Sequence, residues 1–189
     1  MKYFIVGMHS SGKQELFEIL NKQHIGCGKL FSNVNISDIR YDFFSDTDLI
    51  EIFENKAYIF MKEVDDFSRN SYEGLSLYEY DNNDVFLLSP DQFTAIPQQF
   101  FTDDVCLIWL DDSKGVRKQR YEDEKRSYNF NEREEFERRD LDEFIKTIYN
   151  NKHFHVIYFT NEDVARVGSI VYALIKFPEL ITNFEKTFR

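Results

Sequence analysis

The chain has 189 residues, of which 42% are hydrophobic and 30% charged, and a formal charge of -11. That length suits one sizeable core and is short for two independent domains, and the composition is that of an ordinary globular protein with no apolar run long enough to cross a bilayer. The acidic surplus argues against nonspecific binding to nucleic acid or an anionic membrane, since both require a basic footprint that releases counterions.

In chain order, Tyr3 to Val6 is a short apolar run ended by glycine and reads as a buried parallel strand. No signal-peptide plan precedes it, and Cys27 and Cys106 lie far apart outside any CxxC spacing, so the chain is expected to be soluble and cytoplasmic with reduced thiols. Leu16, Ile19 and Leu20 then recur at helical spacing. The stretch from about 31 to 83 breaks the pattern. It is rich in Tyr, Phe, Asp and Asn, with one helical stripe (Leu49, Ile52, Phe53) and short aromatic strands at Tyr58 to Met61 and Leu75 to Tyr78. Buried-strand runs follow at Val85 to Leu88, Val105 to Leu110 and Phe154 to Phe159. Helical stripes lie between the last two (Phe136, Leu141, Phe144, Ile145, Ile148) and after them (Val164, Val167, Ile170, Val171, Leu174, Ile175). Alternating strands and helices predict an α/β fold, a parallel sheet with helices on both faces and a small mixed lobe inserted after the first helix.

Between the first strand and helix stands Gly7-Met8-His9-Ser10-Ser11-Gly12-Lys13-Gln14, one residue short of the phosphate-loop pattern GxxxxGK[ST]. Glycines let backbone N–H groups curl round phosphates at a helix N-terminus while the lysine reaches the outer phosphates. Gly7, Gly12 and Lys13 supply those parts. The missing part is the hydroxyl that binds magnesium, because Gln14 offers a longer carboxamide instead. Ser10 and Ser11, like His9, either bind phosphate oxygens or merely fill the turn. The segment from Lys114 to Arg139 holds nine basic and seven acidic residues, a balance of +2, against -13 for the rest of the chain (14 basic, 27 acidic), so positive charge is concentrated there.

The order of these parts resembles the guanylate kinase family of nucleoside monophosphate kinases. The resemblance is carried by the loop and by Tyr41-Asp42-Phe43-Phe44-Ser45 with the helix and strand after it. It is carried further by Tyr72-Glu73-Gly74, by Leu87-Leu88-Ser89-Pro90-Asp91-Gln92, and by the arginine-bearing stretch from Arg117 to Arg139. It implies a P-loop NTPase-type, five-stranded parallel core (1–30 and 84–189), an acceptor-binding lobe (about 31–83) and a helical lid (about 113–139) within a single domain. It also implies ATP and Mg2+ as cofactors. In that scheme Gly7, Ser10, Ser11, Gly12, Lys13 and Gln14 hold the donor. Lys13, Arg120, Arg126, Arg138 and Arg139 act on the transferring phosphoryl group, and Tyr41 bonds the acceptor phosphate, with Tyr72 in the acceptor lobe. Asp91 either holds magnesium through water or simply starts a helix after Pro90. The lid arginines either touch phosphate or belong to a solvated helix laced with Glu–Arg pairs.

The family's TTRxxR has no counterpart here, which leaves Lys29 and Arg40 as the nearby cations for the acceptor. Phe60 falls where a guanine-reading glutamate is expected, so GMP should be a poor acceptor unless Glu63 or Glu73 reads the base. The expectation from sequence is an ATP-dependent nucleoside or deoxynucleoside monophosphate kinase-like phosphotransferase with an altered acceptor pocket. The alternative is a catalytically degenerate nucleotide-binding or protein-interaction module. The partners expected are a nucleotide donor and a small phosphate acceptor, with no nucleic acid and no membrane.

Overall fold

The computed structural model describes all residues except 35, 37, 67–68, 102–104, 125–128, 152–153, 161–162 and 183–189. Strand β1 (Lys2–Gly7) is apolar on both faces, and its period-two alternation sends side chains into two separate cores. Tyr3 and Ile5 face one core and Phe4 and Val6 the other. The same split runs through β7 (Val85–Leu88) and β8 (Val105–Leu110), where Leu87 and Ile108 join the first cluster and Phe86, Leu107 and Trp109 the second. With β2 (Cys27–Gly28) and β9 (His155–Phe159) these strands form a five-stranded sheet in the order β2-β7-β1-β8-β9, parallel at every pairing.

Helices cover both faces. Helix α1 (Lys13–Lys22) presents Leu16, Phe17 and Leu20 to the first cluster, where α7 (Val164–Lys176) adds Val167, Val171 and Leu174. On the opposite face α4 (Pro90–Thr94) brings Phe93 against Phe144 of α6 (Phe130–Asn150), with ring centroids 5.5 Å apart and edge-to-face. Among the described residues, no helix is long and apolar enough to cross a membrane.

A second, mixed sheet occupies the stretch that breaks the core pattern. Its order is β4-β3-β6-β5, formed by β3 (Leu30–Ser32), β4 (Tyr41–Phe43), β5 (Tyr58–Asp66) and β6 (Arg69–Ser76). The β3/β4 pair is parallel and the other two pairs are antiparallel. Leu30, Ile59, Phe60 and Leu75 pack into the second cluster and so seat this sheet on the core, with α2 (Asp46–Glu54) following β4.

Two elements differ from the sequence expectation. The two residues of β2 are too few to show a period. The strand expected over Leu75 to Tyr78 ends at Ser76, because the Ser76 hydroxyl accepts from the Glu79 N–H at 3.1 Å and starts α3 (Leu77–Asn82). Ser76→Ala is expected to cost about 1 kcal/mol in chemical denaturation. An unchanged midpoint would show that the packing of Leu77 and Tyr80, rather than the cap, sets this boundary.

Candidate functional site

The loop between β1 and α1 opens into a cleft of about 310 Å³ between the carboxyl end of the parallel sheet and the second sheet. Its form follows from its small residues. A Cβ on Gly7 would lie 2.4 Å from Ser11 Oγ and 3.0 Å from Leu110 Cβ, so only glycine lets the loop fold back on β1. Gly12, at φ 79°, turns the chain into α1, and Ser10 adopts the left-handed region at φ 53°. Lys13 crosses the loop with its ammonium donating to the carbonyls of Gly7 (2.5 Å) and Met8 (2.6 Å) and lying 3.3 Å from Ser11 Oγ. Burial, reinforced by the Arg40 charge and opposed by Glu137, brings its pKa down to about 7.

One side of the cleft is closed by α6. Glu137, 1% exposed, accepts from the backbone N–H of His9 (2.7 Å) and from Arg133 Nε (2.9 Å), and its carboxylate lies 3.0 Å from His9 Nδ1. Burial raises the pKa of this carboxyl, but the His9 bond and the charges of Arg133 and Lys13 prevail and hold it at about 2. One turn earlier on α6, buried Glu134 takes a two-pronged bond from Arg117 of α5 (Lys114–Asp123), at 2.5 and 2.9 Å. A carboxylate thus occupies a loop amide of the kind that holds phosphate.

The other side belongs to the second sheet. Arg40 is forked onto Asp38, with Nη2 to Oδ2 at 2.6 Å and Nε at 3.0 and 3.1 Å from its two oxygens. Tyr41 donates its hydroxyl proton to Glu73 (2.9 Å) and accepts from Gln92 (2.6 Å). Burial, aided by the Glu73 carboxylate, pushes its pKa well above the usual phenol value. Lys62 Nζ lies 3.0 Å from Glu73 and in contact with Asp91. Ser89 Oγ and Asp91 Oδ1 are shielded from solvent without a hydrogen-bond partner.

The structure brings together most of the residues read from sequence. Ser10, Gly12, Lys13, Gln14, Arg40, Tyr41 and Asp91 line the cleft, while Gly7 and Ser11 shape the loop behind it. Other placements need correction. Phe60 is buried in the second cluster rather than on the cleft wall, because its strand turns it toward Leu75 and the core, so it cannot read a base. Lys29 points to the far side of the second sheet, where Nζ pairs with Asp42 at 2.7 Å. Tyr72 is next in sequence to Glu73, so alternation turns its side chain away from the face that carries Glu73. Arg138 and Arg139 sit on the outer face of α6, paired with Glu134 and Glu135 at 3.5 Å and largely exposed. Arg120 bonds Asp112 (2.6 Å) and the Ser10 carbonyl (3.3 Å), beside the loop rather than in the cleft. Arg126 lies outside the described residues.

Sequence reading missed Arg133, Glu137, Asp38 and Lys62. For Arg133 and Glu137 the signal was present as an i,i+4 pair, which on an isolated helix reads as a solvated face. The burial of Glu137 comes from α6 docking on the loop, while Arg133 stays partly exposed.

No protein-family model matches the chain, and no curated protein sequence does. Among solved structures, the guanylate kinase from Anaplasma phagocytophilum aligns with 93% of this chain and 84% of its own at 16% identity, with a TM-score of 0.56. Identity that low transfers the arrangement of elements and leaves the chemistry to the residues of this cleft. With its parallel five-stranded core, loop at residues 7–14 and second sheet across the cleft, the chain has a guanylate kinase-like fold.

Proposed function

We propose that the chain binds a nucleoside triphosphate, ATP by the family resemblance, at residues 7–14 and transfers its γ-phosphoryl group to a nucleoside or deoxynucleoside monophosphate held beside Tyr41 and Arg40. The observation that carries this reading is Lys13, whose ammonium is pinned by the Gly7 and Met8 carbonyls across a loop with the turns needed to present its amides. A cation fixed there meets the outer phosphates without further ordering, and phosphoryl transfer needs little from a protein beyond positioning and charge. Arg133 on the α6 side and Arg40 on the opposite side line the same cleft and supply further positive charge. For Arg133 to meet phosphate, Glu137 must yield the His9 amide to the donor.

The fold implies magnesium in its relatives, but the donor set here does not fit it. Gln14 ends the loop without a hydroxyl, and one oxygen of Asp91 contacts the Lys62 ammonium while the other is shielded from solvent.

A second reading, nucleotide binding without turnover, is favoured by the commitment of Arg117, Arg120 and Tyr41 to Glu134, Asp112 and Glu73. A coupled ADP-release screen against the common ribo- and deoxyribonucleoside monophosphates, run with and without magnesium, separates the two readings. Turnover of one acceptor supports the first. ATP binding with no acceptor turned over supports the second.

A further inference from the structure

Lys62 of β5 and Glu73 of β6 are direct cross-strand partners, and the Lys62 ammonium lies 3.0 Å from Glu73 Oε1. The same nitrogen reaches across the cleft to Asp91 in the first turn of α4. All three side chains are mostly buried, with exposures of 26%, 11% and 12%. Two carboxylates thus share one ammonium at the place where a metal-holding carboxylate is expected.

We propose that Lys62 is a built-in cation that replaces the divalent metal, so that nucleotide is bound at this loop independently of magnesium. The inference rests on the nucleotide-binding reading above. Magnesium keeps its waters and demands near-ideal octahedral oxygen ligands. A carboxylate already in contact with an ammonium offers a hydrated dication little net attraction, and the ammonium repels it. The remaining oxygen, Asp91 Oδ1, is shielded from solvent. Gln14 agrees with this arrangement, because a loop that needs no inner-sphere metal hydroxyl has no use for serine or threonine at that position. Lys62 also ties the second sheet to the core across the site.

The test is calorimetric titration of ADP and ATP into the full chain, once in EDTA and once in excess Mg2+. For the parent, the dissociation constants are expected to differ by less than about threefold between the two buffers. Lys62→Met frees both carboxylates and should make binding at least about tenfold tighter with Mg2+ than with EDTA, whereas Lys62→Arg keeps the cation and should stay indifferent. Parent affinity that rises tenfold or more with Mg2+ overturns the inference while leaving nucleotide binding intact. Indifference of both parent and Lys62→Met removes Lys62 from the explanation and overturns it as well. No nucleotide bound by the parent in either buffer overturns the reading of the loop itself, and this inference with it.

Discussion

Lys13→Met is expected to weaken ADP and ATP binding by about 100-fold or more, because it removes the cation fixed across the loop and replaces charge-assisted bonds to phosphate with nothing. Stability should change much less, since two effects oppose each other. Loss of the ammonium leaves the Gly7 and Met8 carbonyls without that donor, at about 1–3 kcal/mol each. Against that, the buried ammonium is itself costly. Its pKa is near 7 in the folded chain and 10.5 unperturbed, so the unfolded chain binds more protons between those values and folding stability from this group rises with pH across that window. The shift corresponds to roughly 5 kcal/mol at most, which methionine does not bear. Nucleotide affinity should run the other way in pH. Phosphate requires the protonated lysine, so above about pH 7 binding takes up a proton and affinity falls by up to about tenfold per unit. Calorimetry at several pH values checks this, and a Lys13→Met chain that binds as tightly as the parent would remove the loop from the donor site.

Glu137→Gln is expected to act on both stability and binding. Its carboxyl is held at about 2 against an ordinary 4.5, so it contributes stability that is fully present above about pH 4.5 and lost as pH falls through about 2. The shift corresponds to about 3 kcal/mol near neutrality, and the difference between parent and variant should close as the solution is acidified below about pH 4.5. In binding the sign reverses. Glu137 accepts the His9 N–H that faces the cleft and competes there as an anion with any phosphate, so removing its charge should tighten ADP binding by about tenfold. Denaturation curves at pH 7 and pH 3 and a calorimetric titration test the two halves separately. Unchanged nucleotide affinity would mean that Glu137 serves only to dock α6.

Elements whose patterns are local are legible in the chain's own order of residues. Strands β1, β7 and β8 announce themselves as apolar runs, and α1 and α7 as stripes, because strands buried on both faces and amphipathic helices write their environment into consecutive residues. The phosphate-loop-like pattern at residues 7–14 is legible for the same reason, since its glycines and lysine lie within eight positions between a strand and a helix. The cleft walls are not local. Phe60 and Lys62 share one face of β5, and only the docking of the second sheet on the core decides that Phe60 is buried while Lys62, two residues on, lines the cleft. Whether Arg133 or Arg138 faces the loop depends on how α6 rolls against α4, and the helix carries basic residues on both sides. Local residue order alone indicates a parallel α/β core with a phosphate-loop-like turn after its first strand. Which charges meet at that turn is set by packing between distant elements, because Glu137 on α6 and Lys62 on β5 acquire their partners and their burial from residues far away in the chain.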